Sequence, residues 1–141
     1  MSSGFDDVGE FHRKFELPHL GDGRLPHLPA PDVWEFRRKF LLEELREADE
    51  AYRAGDLVKF FDALIDLNYV AYGTAHLAAL PWAQGWAEVQ RANLAKERAA
   101  SAADVRSTRG HALDVVKPVG WTPPAIDRVL TDWVELLNRN R

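Results

Sequence analysis

Residues 60–80 read FFDALIDLNYVAYGTAHLAAL, and the reading of this run decides the fold. Its length and composition predict one long helix, apolar on nearly every side and therefore enclosed by others. Two acids, Asp62 and Asp66, interrupt it, with His76 near its end. A lone carboxylate in apolar surroundings is costly and normally ends up protonated, paired or on a metal. Upstream, residues 41–52 read LLEELREADEAY and put Glu43, Glu44 and Glu47 on a second helix. Carboxylates on two neighbouring helices, with few cations to pair them, predict a divalent-cation site.

Working outward, the second helix is expected to start at Pro31-Asp32 and run to Ala54, where Gly55 stops it. Asp56 caps the third helix, which continues to about Ala79 before Pro81. So short a turn makes the two helices antiparallel neighbours. A first helix is expected from about Phe5 to Phe15, with Val8, Phe11, His12 and Phe15 on one face. The proline- and glycine-rich stretch from Leu17 to Pro31 reads as loop. A fourth helix should cover Trp82 to Ala99. The following SAADVRSTRGHALDVVKPVGW has no helical stripe and reads as an active-site loop or flap, its LDVV too short for a meaningful strand. Thr122, Pro123 and Pro124 then start a last helix, Ile126 to about Asn138. The expected fold is all-α, a bundle of about five helices in one domain spanning 1–141, with the metal site between the second and third.

Composition narrows the function. The 141 residues carry 22 acids against 18 lysines and arginines, which argues against a protein that coats nucleic acid. Without cysteine, disulfides, zinc–thiolate sites and thiol catalysis are excluded. Asp62 and Asp66 make lipid exposure of the apolar run untenable, so no membrane is expected. The opening MSSGFDDVGE lacks the basic and apolar parts of a signal peptide, and a cytoplasmic protein is expected.

Glu44 and Glu47 are three residues apart, Glu43 and Glu47 four, and Asp62 and Asp66 four, so each set shares one side of its helix. Glu47 lies before Gly55 by about as much as Asp66 lies after it, within about one helical turn in height. Hard oxygen ligands select Mg²⁺ or Mn²⁺. The plainer alternative is a solvated face, with Glu43–Arg46 and Glu50–Arg53 pairs. Asp62 and Asp66 tip the balance, since only Lys59 lies within a turn of them.

At these residues the chain resembles the MazG-like all-α NTP pyrophosphatases, a superfamily that includes phosphoribosyl-ATP pyrophosphatase. Its hallmark is E-E-x-x-E on one helix and E-x-x-D on the next. EELRE supplies Glu43, Glu44 and Glu47, and Asp66 supplies the final acid. FHRKF, YVAYGTA, EVQRANLAK and KPVGWTPPAI extend the likeness over nearly the whole chain, closest to helical dUTPase-like members. One position departs: Ala63 stands where the hallmark has glutamate. Either Asp62 takes that place with a shorter reach, the favoured reading, or one ligand is missing.

The resemblance implies Mg²⁺-dependent cleavage of a (d)NTP, dUTP among the candidates, between its α and β phosphates. Glu44, Glu47 and Asp66 would hold metal with Asp62 added, and Glu43 would orient or deprotonate the water. Asn93 and Lys96 become phosphate-binding candidates, with Arg91 and Lys117 beside them. His12, Tyr69 and Trp121 are candidates for the base, although aromatics at helical spacing more often pack. Arg106 and Arg109 could close over phosphates or simply face solvent. A helix apolar all round needs more cover than one chain offers, so a homodimer or higher homo-oligomer is expected. The alternatives are a phosphoribosyl-ATP pyrophosphatase, and a catalytically weak or inert helical scaffold suggested by Ala63.

Overall fold

Pro31, in the first turn, opens the longest helix of the computed structural model, which describes residues 2–141. The helices are α1 (Gly4–Lys14), α2 (Pro31–Arg53), α3 (Leu57–Leu77), α4 (Trp82–Leu94) and α5 (Ile126–Arg139). A two-stranded sheet, β1 (Glu97–Arg98) and β2 (Val115–Val116), lies between α4 and α5 in the sequence. The chain divides into two compact units, one of residues up to Trp82 with Val134–Arg141, the other Ala83–Trp133. None of the described helices is long and apolar enough to cross a membrane.

In the first unit, α2 and α3 form the most extensive helix pair, and α1 packs on α3. Gly55 reverses the chain at φ 66°, a conformation glycine adopts without steric cost. Asp56 then accepts the Lys59 N–H at 3.0 Å and caps α3. Small residues on both helices, Ala48, Ala51 and Ala63, are buried and let the backbones approach.

The first helix departs from expectation in its face. Ser3 and Asp6 form a reciprocal capping box that starts it at Gly4. Its buried residues are Phe5, Val8, Gly9 and His12, while Phe11 and Phe15 are exposed. The reason is His76 of α3, whose ring stacks on Phe5 at 3.9 Å between centroids and occupies the space beside Gly9. His76 is satisfied on both sides: its Nε2 lies 2.8 Å from the Phe5 carbonyl, and its Nδ1 accepts the Leu20 N–H at 3.1 Å. Arg24, from the loop, donates to the last carbonyls of α3, Leu77 at 2.8 Å and His76 at 3.0 Å.

The second unit corrects two expectations. The helix expected to reach Ala99 ends at Leu94, because Glu97 and Arg98 pair antiparallel with Val116 and Val115. The segment read as a loop or flap is tied down at Asp114, whose carboxylate accepts from Ser107 Oγ and Arg109 Nη1, each at 2.6 Å. The fold is mostly helical as expected, with five helices and one minimal two-stranded sheet.

Candidate carboxylate site between α2 and α3

The site is built from the apolar spacing of α2. Ala48 and Ala51 face α3, and that periodicity carries Glu44 inward one turn earlier. Glu44 is only 7% exposed, and its Oε2 is buried without a hydrogen-bond partner. Burial first, then the charges of Glu47, Asp66 and Glu43, push its carboxyl up to about 7. Asp66, reaching in from α3, is likewise raised, by burial and then by Asp62 and Glu47. Five acids on two helices thus act on one another, and the cluster is short of positive charge.

Beside it opens a cleft of about 470 Å³, whose lining includes Glu47, Glu50, Asp56, Lys59 and Asp62. Asp62 therefore opens onto the same space as Glu47. Ala63, its neighbour, is buried at 2% exposure, so the side chain at that position points into the helix seam. Among the described residues, no three or more acidic or histidine side chains are already drawn into an ion-holding group. The outer face of α2 is solvated, with Glu43, Arg46, Glu47 and Glu50 exposed. Among the described residues the ion pair on that face is Arg46–Glu50, at 3.9 Å, rather than Glu43–Arg46 or Glu50–Arg53. Glu50, Asp56 and Lys59 join the cleft beyond the acids of the two helix motifs. Their signal was spacing, since Glu50 follows Glu47 by three and Lys59 precedes Asp62 by three.

The residues expected to touch substrate divide between the two units. In the first, His12 is buried at 3% exposure, with Nδ1 2.7 Å from the Pro18 carbonyl. Its ring also lies beside His76, 5.3 Å between centroids, which makes it a histidine of the core. Tyr69 sits edge-on against Phe11 at 5.6 Å.

In the second unit, Trp121 donates from Nε1 to the Ala92 carbonyl at 2.7 Å. Both lysines approach its ring, Lys117 at 4.9 Å and Lys96 at 5.5 Å from the centroid, so sequence positions 21 apart share one indole. Arg91 is engaged with Glu88 at 2.8 Å and with the Thr122 hydroxyl at 3.2 Å. Asn93 is exposed, and its backbone carbonyl accepts the Lys96 N–H at 3.1 Å. Arg106 pairs with Asp104 and Glu97, and Arg109 with Asp114.

Residues 8–93 match the family described as phosphoribosyl-ATP pyrophosphohydrolase. No curated protein shows a significant match to the chain. The matched span takes in α2, α3 and every carboxylate of the cluster, and it ends inside α4.

Proposed function

We propose a specific reaction for this chain, which belongs to the phosphoribosyl-ATP pyrophosphohydrolase family, within the MazG-like all-α superfamily, and is a hydrolase acting on phosphoric anhydrides. The reaction is hydrolysis of a nucleoside triphosphate between its α and β phosphates, releasing a nucleoside monophosphate and pyrophosphate. The observation that carries this reading is Glu44. A carboxyl group buried beside three other acids, with one oxygen unpartnered, is stable as an anion only when a cation joins it.

The donors are all carboxylate oxygens, a set that suits a hard divalent ion and offers nothing to zinc or copper. Glu44, Glu47 and Asp66 would hold Mg²⁺ or Mn²⁺, with Asp62 from the cleft wall in place of the acid absent at position 63. Such an ion, when bound, neutralises phosphate oxygens and lowers the pKa of water. Glu43, on the solvent side of the cluster, orients the attacking water and takes its proton. Asn93, Lys96 and Lys117, with Arg91 beside them, are the phosphate-binding candidates that the resemblance implies. With Asp62 opening onto the cleft, Ala63 alone gives little support to an inert scaffold.

Two substrates compete. A (d)NTP, dUTP among them, follows from the resemblance to dUTPase-like members; phosphoribosyl-ATP follows from the description of the matched family. Pyrophosphate release from NTPs, dNTPs and phosphoribosyl-ATP, each with Mg²⁺ and with Mn²⁺, decides between them. Turnover of any of these, lost in Glu44→Ala and Glu47→Ala, upholds the reaction. Nucleotide binding with no pyrophosphate from any substrate or metal rules it out. Assembly as a homodimer or larger homo-oligomer belongs to the same reading, supported by Phe36, Leu45, Phe61 and Ile65, all large, apolar and exposed on α2 and α3.

A further inference from the structure

We infer that Lys59 grips the end of the substrate that leaves as pyrophosphate. The phosphate chain then lies along the groove between α2 and α3 and points toward the Gly55 turn. This rests on the phosphohydrolase reading above.

Counting outward from Gly55 divides the groove into levels. Glu44 and Asp66 each stand eleven residues from that glycine. Glu47 and Asp62 stand eight and seven away, and Glu50 and Lys59 five and four. Two packed helices joined by so short a turn run antiparallel, so similar counts mean similar heights. Successive levels are roughly 4.5–6 Å apart, about one helical turn. The first two levels carry acids alone, and they are the ones proposed to hold the ion. The level nearest the turn brings a cation, and the cleft reaches it: Glu47, Asp62, Glu50 and Lys59 line the same space.

The pairing of charges sets Lys59 apart. It lines the cleft together with four acids, yet among the described residues it forms no ion pair. Asp56 and Asp62 each lie three positions from it along the chain. Asp56 is committed to the helix cap, where it accepts the Lys59 N–H at 3.0 Å. The basic residues of α2 behave otherwise, since Arg38 and Lys39 pair with Glu35, and Arg46 with Glu50. A divalent ion carries too little charge to offset both the surrounding carboxylates and a polyphosphate, and like charges at close range repel. An ammonium one turn beyond the ion supplies the balance, as a compact point charge with three donors for phosphate oxygens. Asn93, Lys96 and Lys117 all belong to the other compact unit, so Lys59 is the phosphate contact that the helix pair itself provides.

Calorimetric titration of pyrophosphate in the presence of Mg²⁺ tests the assignment. Lys59→Ala should weaken pyrophosphate binding by about 10-fold, the loss of one charge-assisted hydrogen bond, and Lys59→Arg should retain most of it. A panel of nucleoside monophosphates should bind wild type and Lys59→Ala alike. The Mg²⁺-induced rise in Tm should be no smaller in Lys59→Ala, which separates a phosphate contact from a structural role. Unchanged pyrophosphate affinity in Lys59→Ala overturns the assignment alone, as does a smaller Mg²⁺ response. An equal loss for monophosphates overturns the direction of the phosphate chain. A wild type that turns over substrate without binding pyrophosphate also removes Lys59 from this role. Wild-type protein that neither binds pyrophosphate nor releases it from any substrate overturns the phosphohydrolase reading, and the role of Lys59 with it.

Discussion

Asp62 on α3 and Glu47 on α2 line the same cleft, whereas Ala63, one residue along from Asp62, is buried between the helices. A helix turns about 100° per residue, so adjacent positions cannot serve one site equally. We propose that Asp62, which faces this open space, stands in for the acid the superfamily places at position 63. Asp62→Asn should lower kcat by at least about 10-fold, the loss typical even of groups that only support metal ligands. Ala63→Glu should restore nothing and should destabilise the protein by about 2–5 kcal/mol, since it buries a charge in a tight seam. Steady-state kinetics and thermal melts of both variants check this.

Glu44 makes metal-free stability fall as pH rises. Its folded-state pKa is raised to about 7 from an ordinary 4.5, so its contribution is complete below about pH 4.5 and is lost as pH climbs through 7. The loss is on the order of 3 kcal/mol. Glu44→Gln keeps the shape and removes the charge, so it should raise the metal-free Tm at pH 8 and abolish the Mg²⁺-induced rise seen in wild type. Melts at pH 5, 6.5 and 8, with and without Mg²⁺, report both effects. An equal Mg²⁺ response in Glu44→Gln rules out this role.

The histidines act in the opposite sense. Burial holds His76 below its ordinary value, and His12 likewise, so both favour the neutral form in the folded chain. Their contribution is present above about pH 6.5 and is lost as pH falls through the lowered folded values. Protonated His76 cannot accept the Leu20 N–H, so α1 and the loop that follows should loosen first. Amide exchange at Leu20 should accelerate in acid before exchange in α2 does. His76→Ala should cost about 2–4 kcal/mol, by opening a cavity and stranding the Phe5 carbonyl and Leu20 N–H.

Lys96 and Lys117 flank one indole, so phosphate binding at either should register in Trp121. Lys96→Ala is expected to raise KM by about 10-fold with a smaller change in kcat, the pattern of a lost ground-state contact. Nucleotide-induced change in the emission of Trp121, read in a variant with the other tryptophans replaced by Phe, checks the contact. A KM unchanged in both Lys96→Ala and Lys117→Ala removes these lysines from the substrate path.

In the second unit, Asp114 accepts from Ser107, Arg109 and the Val115 N–H, and is itself buried. Asp114→Ala would leave those donors without their acceptor. Amides from Ala99 to Val116 should then lose exchange protection. Unchanged protection there would assign the order of the segment to other contacts.

The long helices and their turn are legible in the sequence alone. Pro31 at a helix start, Gly55 at positive φ and Asp56 as a cap act through bonds within a few residues, so local chemistry determines them. The acids of the cluster are legible for the same reason, because three- and four-residue spacing puts them on one side of a helix. Only the tertiary structure decided which of them is buried, that Asp62 and not residue 63 opens onto the cleft, and that His12 belongs to the core. Those outcomes depend on how α1 and α2 meet α3, and on a strand pairing between Glu97 and Val116, residues far apart in the chain. Burial and charge are properties of neighbours brought together by packing, and no local spacing encodes them.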